Sequence, residues 1–275
     1  MNADPVDPSE LPVARPGEPA VWLHELVESP VTGFAASSAA DLIAAANDHA
    51  PALYGDGWVT GIPAHDLLTR QLDRLPEDLA SQELEIRSQA DGRKVVLLIP
   101  AAEQWRTGFK HPEFSPAFRR RVTELLQRTD SVLAIREPYG DYSGFYRRYW
   151  PEAINASNAR FSSTQAVLRA ADVIWTDIDS SSLDATITGT PVMSFIPEPP
   201  PSGATVYNLH HLFPGFITDD EESFVAHLEQ VLHRPELAVT PQYERFRNLF
   251  LDFRDDRSSA RLLAKVRAEL DRRDW

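Results

Sequence analysis

Residues 172–191 of this chain read DVIWTDIDSSSLDATITGTP. The start of this segment, 172–175, predicts a short buried strand. A loop rich in serine and aspartate follows, and a helix is expected from about residue 181 to residue 188, ended by Gly189 and Pro191 before a strand at 192–196. The helix start would present unpaired N–H groups at the carboxyl edge of a sheet, where a diphosphate binds well. The pattern equally fits a plain capped turn, because Ser and Asp are the commonest N-caps.

Strands and helices alternate on both sides of this segment. The pattern predicts strands at 94–99 and 131–136, and it predicts helices at 116–128, 164–171, 241–253 and 257–272. A further helix is expected behind a capping box formed by Thr218 and Glu221. Such alternation is typical of a parallel sheet covered on both faces. The sequence therefore predicts an α/β fold in which residues 94–275 form a Rossmann-like domain.

Three shorter segments precede that domain. Residues 1–20 hold five prolines among acidic residues and are predicted to be a disordered tail. Residues 21–75 are expected to form a small α/β unit with a helix near 38–47 and a leucine-lined helical face at 67–75. The polar residues 76–93 predict a linker, and a domain boundary fits there.

The composition is that of an acidic globular protein without cysteine. The chain has 275 residues, of which 43% are hydrophobic, and 41 Asp and Glu against 27 Lys and Arg give a net charge of −14. The lack of cysteine excludes disulfides and zinc–thiolate sites, and the charge argues against nucleic-acid binding. No apolar run approaches a bilayer span and no secretory leader is evident, so we expect a cytoplasmic protein. Basic residues near the C-terminus, Lys265 and Arg267 among them, leave open a peripheral contact with the inner face of the cell membrane.

Residues 177–191 resemble, without a gap, the D-Y-S-S-x-x-x-D-x-x-x-x-G-x-P segment of the CDP-glycerol glycerophosphotransferases, the family of teichoic acid polymerases and primases. Residues 61–68 read GIPAHDLL and are similar to the family signature G-x-P-R-N-D-x-L, with Ala64 and His65 in place of Arg and Asn. Residues 255–261 read DDRSSAR and resemble D-G-K-A-S-E-R. Weaker matches at 100–106 and 213–217 keep the same order along the chain.

The resemblance implies a GT-B-like architecture, with two Rossmann-like domains and the activated donor bound to the second. Residues 21–75 would then be a shortened remnant of the first, acceptor-side domain, and residues 94–275 the donor-binding domain. The implied reaction moves glycerol phosphate from CDP-glycerol to a hydroxyl of a lipid-linked, teichoic-acid-like polymer. It implies no metal and no cofactor.

The resemblance also assigns candidate site residues. The candidates for catalysis are Asp177, Asp184 and, as the base, His24. The candidates for substrate binding are Arg136, Ser180, Ser181, Ser259 and Arg261. Glu137 and Pro138 stand where the family carries a His-Pro pair, and a carboxylate at that place is expected to repel the donor diphosphate.

Two other functions remain open at this point. A GT-B glycosyltransferase that uses a nucleotide sugar would hold UDP or GDP on the same strand, loop and helix. A degenerate member of the family would bind nucleotide, or a partner, without turnover. The sequence also leaves open whether a second copy of the chain or another protein completes the shortened first domain.

Overall fold

A computed structural model of the chain describes residues 31–36, 54–100, 114–137, 146–176, 184–196 and 213–272. The strands form two parallel sheets. The first pairs β1 (Val31–Ala36) with β2 (Tyr54–Val59). The second has six strands: β3 (Lys94–Ile99), β4 (Ser131–Ile135), β5 (Ile154–Asn155), β6 (Val173–Thr176), β7 (Val192–Phe195) and β8 (Phe216–Thr218).

The six-stranded sheet has the order β5-β4-β3-β6-β7-β8, and every neighbouring pair is parallel. Chain order therefore runs outward from β3 in one direction and then from β6 in the other. This is the doubly wound Rossmann order, and it confirms the predicted parallel α/β fold. Its switch point lies between β3 and β6, where Ile99 pairs with Thr176 at the carboxyl ends. In sheets of this kind ligands bind in the crevice outside that point.

Helices lie between the strands and after the last of them. They are α1 (Pro63–Thr69), α2 (Glu77–Ala90), α3 (Pro116–Arg128), α4 (Thr164–Arg169), α5 (Glu221–His233), α6 (Pro241–Phe250) and α7 (Ser258–Arg272). Short 3-10 helices lie at Leu72–Arg74, Ala185–Thr188 and Pro235–Ala238. The bounds of α3, α4, α6 and α7 agree with the sequence prediction to within three residues.

The core lies on both faces of the large sheet. In β3, Val95, Leu97 and Ile99 pack on one face with residues of α2 and α4, whereas Val96 and Leu98 pack on the other with residues of α3 and α5. Successive strand residues point to opposite faces, so a strand covered on both faces must be apolar throughout. The continuous apolar sequence of β3 from Val95 to Ile99 follows from that requirement.

Three local predictions need correction. Residues 77–90 of the predicted linker form α2, whose Ile86 and Ala90 are buried in the core. The expected helical face at 67–75 is broken, because α1 ends at Thr69 and a separate 3-10 turn follows. In each case contacts with distant residues override the local pattern.

The third correction concerns the start of α5. Asp220, not Thr218, caps this helix and accepts a hydrogen bond of 2.8 Å from the Ser223 N–H. Glu221 instead accepts hydrogen bonds from the N–H and hydroxyl of Ser115 at the start of α3, at 3.0 and 2.6 Å. A partner 106 residues away therefore takes the carboxylate that a capping box would use. The predicted tail at 1–20 and helix near 38–47 lie outside the described residues.

Candidate functional site

The candidate site lies at the carboxyl edge of the large sheet, at the end of β6. The loop that follows β6 re-enters the described part of the chain at Asp184, directly before the 3-10 helix Ala185–Thr188. Gly189 ends that helix with a left-handed conformation, φ 86°, as its sequence predicts. Asp177, Ser180, Ser181 and the candidate base His24 lie outside the described residues, and their roles stay predictions.

Asp184 contacts a residue from the first part of the chain. Its Oδ1 lies 3.1 Å from Nε2 of His65, which belongs to α1. The two side chains differ in environment, since that of His65 is 4% exposed and that of Asp184 is 40% exposed. The contact joins the end of the loop after β6 to the G-x-P signature segment, 119 residues away in sequence.

Helix α1 presents His65 because both of its ends are fixed. Pro63 occupies its first turn, a position that suits proline because no N–H bond is lost there. At the other end the guanidinium of Arg169, from α4, donates hydrogen bonds to the carbonyls of Leu67, Leu68 and Arg70 at 3.2, 2.8 and 2.9 Å. A cation at the C-terminal end also complements the helix dipole.

Asp66, the next residue of α1, connects the signature segment to the start of α7. Its two carboxylate oxygens accept hydrogen bonds from the N–H groups of Ser258 and Ser259 at 2.7 and 2.8 Å. Burial alone would raise the pKa of Asp66, but hydrogen bonds from Ser259 and Ser258 outweigh burial and hold that pKa below its ordinary value. Asp66 thus caps α7 in its ionised form, from 192 residues away.

Ser259 and Arg261 therefore lie on the first turn of α7, beside α1. The Arg261 guanidinium stacks 3.7 Å from the ring centroid of Phe253 and donates a hydrogen bond of 3.3 Å to the carbonyl of Thr60. It also forms an ion pair with Asp255, and the hydrogen bond from Arg261 lowers the pKa of that carboxyl. The structure places both residues at the junction of the signature segment with α7. Their contact with substrate stays a prediction.

Arg136 directly follows β4, which lies two strands away from β6 in the sheet, and its side chain is buried, with 4% exposure. Its guanidinium donates hydrogen bonds to the carbonyls of Ala156 and Phe161 at 2.9 and 3.0 Å, and to the Thr164 hydroxyl at 2.9 Å. These bonds attach the segment at 156–164 to the sheet edge. Its predicted contact with donor phosphate remains a prediction.

Glu137 is turned into the protein. Its side chain is 3% exposed, and its carboxylate accepts a hydrogen bond of 2.8 Å from the N–H of Tyr146. Tyr146 is itself buried among the aromatic residues that pack beneath α3. The carboxylate at the place of the family His therefore has a structural partner, which weakens the argument that it repels the donor.

Sequence reasoning missed His65 and Asp66 as site residues. The signal was present, because both stand in the G-x-P signature segment, with His65 at the position of the family Asn. Within the described ranges, no group of three His, Asp or Glu side chains is arranged to hold a metal ion. Nor does any helix in the same ranges combine the length and the apolar character needed to cross a membrane.

The comparisons with solved structures reveal the same fold in the wall teichoic acid polymerase TagF. One TagF structure has a TM-score of 0.69 at 14% sequence identity over 95% of this chain. A histidine-to-asparagine variant of TagF soaked with CDPG has a TM-score of 0.66 at 15% identity, again over 95% of this chain. The likeness confirms the predicted GT-B-like fold. The chain spans 62% and 64% of the length of these two TagF chains.

The family assignment comes from the sequence model for CDP-glycerol:poly(glycerophosphate) glycerophosphotransferase, which matches residues 51–268. No curated protein sequence is similar enough to count as a match. The matched region contains the signature segment, the whole large sheet and most of α7, which are the elements that the His65 and Asp66 contacts join. The chain therefore belongs to the CDP-glycerol:poly(glycerophosphate) glycerophosphotransferase family.

Proposed function

We propose that this protein transfers glycerol phosphate from CDP-glycerol to a hydroxyl of a lipid-linked, teichoic-acid-like polymer. The observation that carries the proposal is the family match over residues 51–268 on a doubly wound sheet, in which the family-like segment 177–191 follows β6 in the sequence and β6 borders the switch point. The TagF structure obtained from a CDPG soak has the same fold, which supports CDP-glycerol as the donor to test first.

The donor diphosphate would bind at the loop between β6 and the 3-10 helix Ala185–Thr188. Ser180 and Ser181 would supply hydroxyls, and backbone N–H groups of the loop would supply further donors. Arg136 would keep the adjacent segment at 156–164 against the sheet edge through the bonds described above. Ser259 and Arg261 would approach the donor from α7.

The chemistry is a substitution at phosphorus. An oxygen of the acceptor hydroxyl forms a bond to the phosphorus of the glycerol phosphate group, and the bond from that phosphorus to the oxygen of CMP breaks. The hydroxyl proton passes to a base, for which His24 is the candidate, and CMP leaves as an anion stabilised by the donors around the diphosphate. Asp177 and Asp184 are the candidate carboxylates for orienting the reacting groups.

The acceptor would determine where in the cell the reaction takes place. A lipid-linked polymer is held at a membrane surface, so the reaction would take place at the inner face of the cell membrane. Lys265 and Arg267 are exposed on α7 and would favour contact with anionic lipid. We also propose that a second copy of the chain, or a partner protein, completes the acceptor side.

Calorimetric titration of the purified chain with CDP-glycerol, CDP, UDP and GDP tests the donor assignment. We expect cytidine nucleotides to bind selectively, and Ser180→Ala to weaken binding by about 1 to 3 kcal/mol, the cost of a lost hydrogen bond to a charged group. Ser81→Ala is the matched control, because Ser81 is an exposed serine of α2 whose hydroxyl bonds only locally to the Asp78 carbonyl, at 2.9 Å.

The outcomes separate the candidate functions. Selective binding of UDP or GDP would favour a nucleotide-sugar transferase. Selective binding of CDP-glycerol without CMP release in the presence of a lipid-linked acceptor would favour a family member that binds without turnover. Equal loss of binding in Ser180→Ala and Ser81→Ala would contradict the assignment of the diphosphate to the loop after β6.

A further inference from the structure

We propose that His65 is a positioning residue for the donor site, and that it acts by holding the carboxylate of Asp184. This inference rests on the proposed function, because it concerns the same site. The observations that support it are the distance of 3.1 Å between His65 Nε2 and Asp184 Oδ1 and the difference in exposure between the two side chains.

The hydrogen of this bond belongs to the imidazole. A carboxylate oxygen accepts, so Nε2 donates. The buried imidazole has a fixed direction, whereas the Asp184 side chain is partly open to solvent and takes its orientation from the bond. Asp184 makes no capping hydrogen bond with its own 3-10 helix, so its carboxylate is turned toward α1 instead.

The imidazole is held in turn by the fixation of α1. The backbone N–H of His65 donates a hydrogen bond of 2.9 Å to the Ile62 carbonyl, and the Arg169 guanidinium donates to the carbonyls at the end of the helix. On the other side α1 is held to α7 by the carboxylate of Asp66. The hydrogen bond to His65 therefore ties the position of Asp184 to a rigid element. Such support is needed because a working site must hold its groups in place to within a fraction of an ångström.

The charged groups of this neighbourhood already have other partners. Asp66 accepts from the start of α7, and the Arg169 guanidinium binds the carbonyls at the end of α1. Arg261 pairs with Asp255. Without the imidazole, the Asp184 carboxylate would lose its hydrogen-bond partner and would lie near the anionic CDP-glycerol. The cations named above would not replace that partner, because they bind other groups.

Calorimetric titration of CDP-glycerol into five variants tests this role. We expect His65→Ala to bind about tenfold more weakly than the wild type, which corresponds to one hydrogen bond. His65→Gln should stay within about threefold of the wild type, because the glutamine amide carries an N–H donor at nearly the depth of Nε2. Thr69→Ala is the control on the same helix, since the Thr69 hydroxyl bonds only to backbone carbonyls of α1, and it should bind as the wild type does.

The last two variants, Asp184→Ala and the double variant His65→Ala/Asp184→Ala, complete a double-mutant cycle. If His65 acts through Asp184, His65→Ala will cause no further loss of affinity in the Asp184→Ala background. Additive losses, or equal losses in His65→Ala and His65→Gln, would overturn the inference while the wild type still binds. A wild-type chain that binds no cytidine nucleotide would instead refute the proposed function, and the positioning role would fall with it.

Discussion

Replacing Asp66 with asparagine should destabilise the whole protein, because one carboxylate joins α1 to the start of α7. Oδ1 accepts from Ser258 and Oδ2 from Ser259. Asparagine keeps one acceptor and turns an NH₂ group toward the second N–H, so one hydrogen bond is lost, the other is no longer charge-assisted, and one backbone N–H is left unpaired. We expect the free energy of unfolding to fall by about 2 to 4 kcal/mol. That is a large part of a typical total of about 5 to 15 kcal/mol.

Urea unfolding followed by tryptophan fluorescence measures the effect. Asp220→Asn is the matched control, because Asp220 also caps a helix by accepting from a backbone N–H, but locally and at the surface. It should shift the midpoint much less. Equal midpoint shifts in the two variants would refute the view that Asp66 holds distant parts of the chain together.

The pH dependence provides a second check. The folded-state pKa of Asp66 lies below its ordinary value, so the stability it contributes is fully present above the unfolded pKa of about 3.9 and is lost as the pH falls through the lower, folded-state pKa. The difference between the wild type and Asp66→Asn should therefore be constant near neutral pH and should narrow below about pH 4. A difference that stays constant down to pH 3 would mean that the charge of Asp66 does not contribute.

Two further predictions concern glycines whose added Cβ would meet other atoms. At Gly61, φ is 78° and a Cβ would lie 2.3 Å from the Ser258 hydroxyl oxygen, so Gly61→Ala should cost about 2 to 4 kcal/mol in urea unfolding. Gly92→Ala, at φ 80° with nothing within 4 Å, should cost only the backbone part, about 1 to 2 kcal/mol, and equal costs would argue against the close approach to α7. At Gly215 a Cβ would lie 1.5 Å from the Val192 carbonyl oxygen, so Gly215→Ala should cost more than about 3 kcal/mol, and a near-native midpoint would contradict the described packing of β8 on β7.

The regular elements of the large domain were predictable because their signals are local. The strand at 94–99 and the helix at 116–128 agree with the structure residue for residue. The strand was predicted from a short apolar run, and the helix from an apolar face that follows Ser115 and Pro116. Both patterns depend on residues only a few positions apart in the sequence. The order of such elements was enough to predict a parallel, doubly covered sheet, and the family motifs extended that prediction to the GT-B-like fold.

The candidate site was predictable only in part. Asp184, Ser259 and Arg261 were chosen from motifs, and the structure places all three around α1. His65 and Asp66 were missed, because nothing local distinguishes an imidazole or a carboxylate that has a partner from one that faces solvent. The same is true of Glu137, which was expected to face the donor and instead binds the Tyr146 N–H.

By itself, then, the sequence determined most strands and helices of the large domain, their order and the family. Tertiary structure alone decided that residues 77–90 are a core helix, that Glu221 serves α3, and that α1 joins Asp184 to α7. The physical reason is the range of the interactions. Periodicity and capping act within one or two turns, whereas the contacts of His65 and Asp66 span 119 and 192 residues and exist only after the sheet has formed between them.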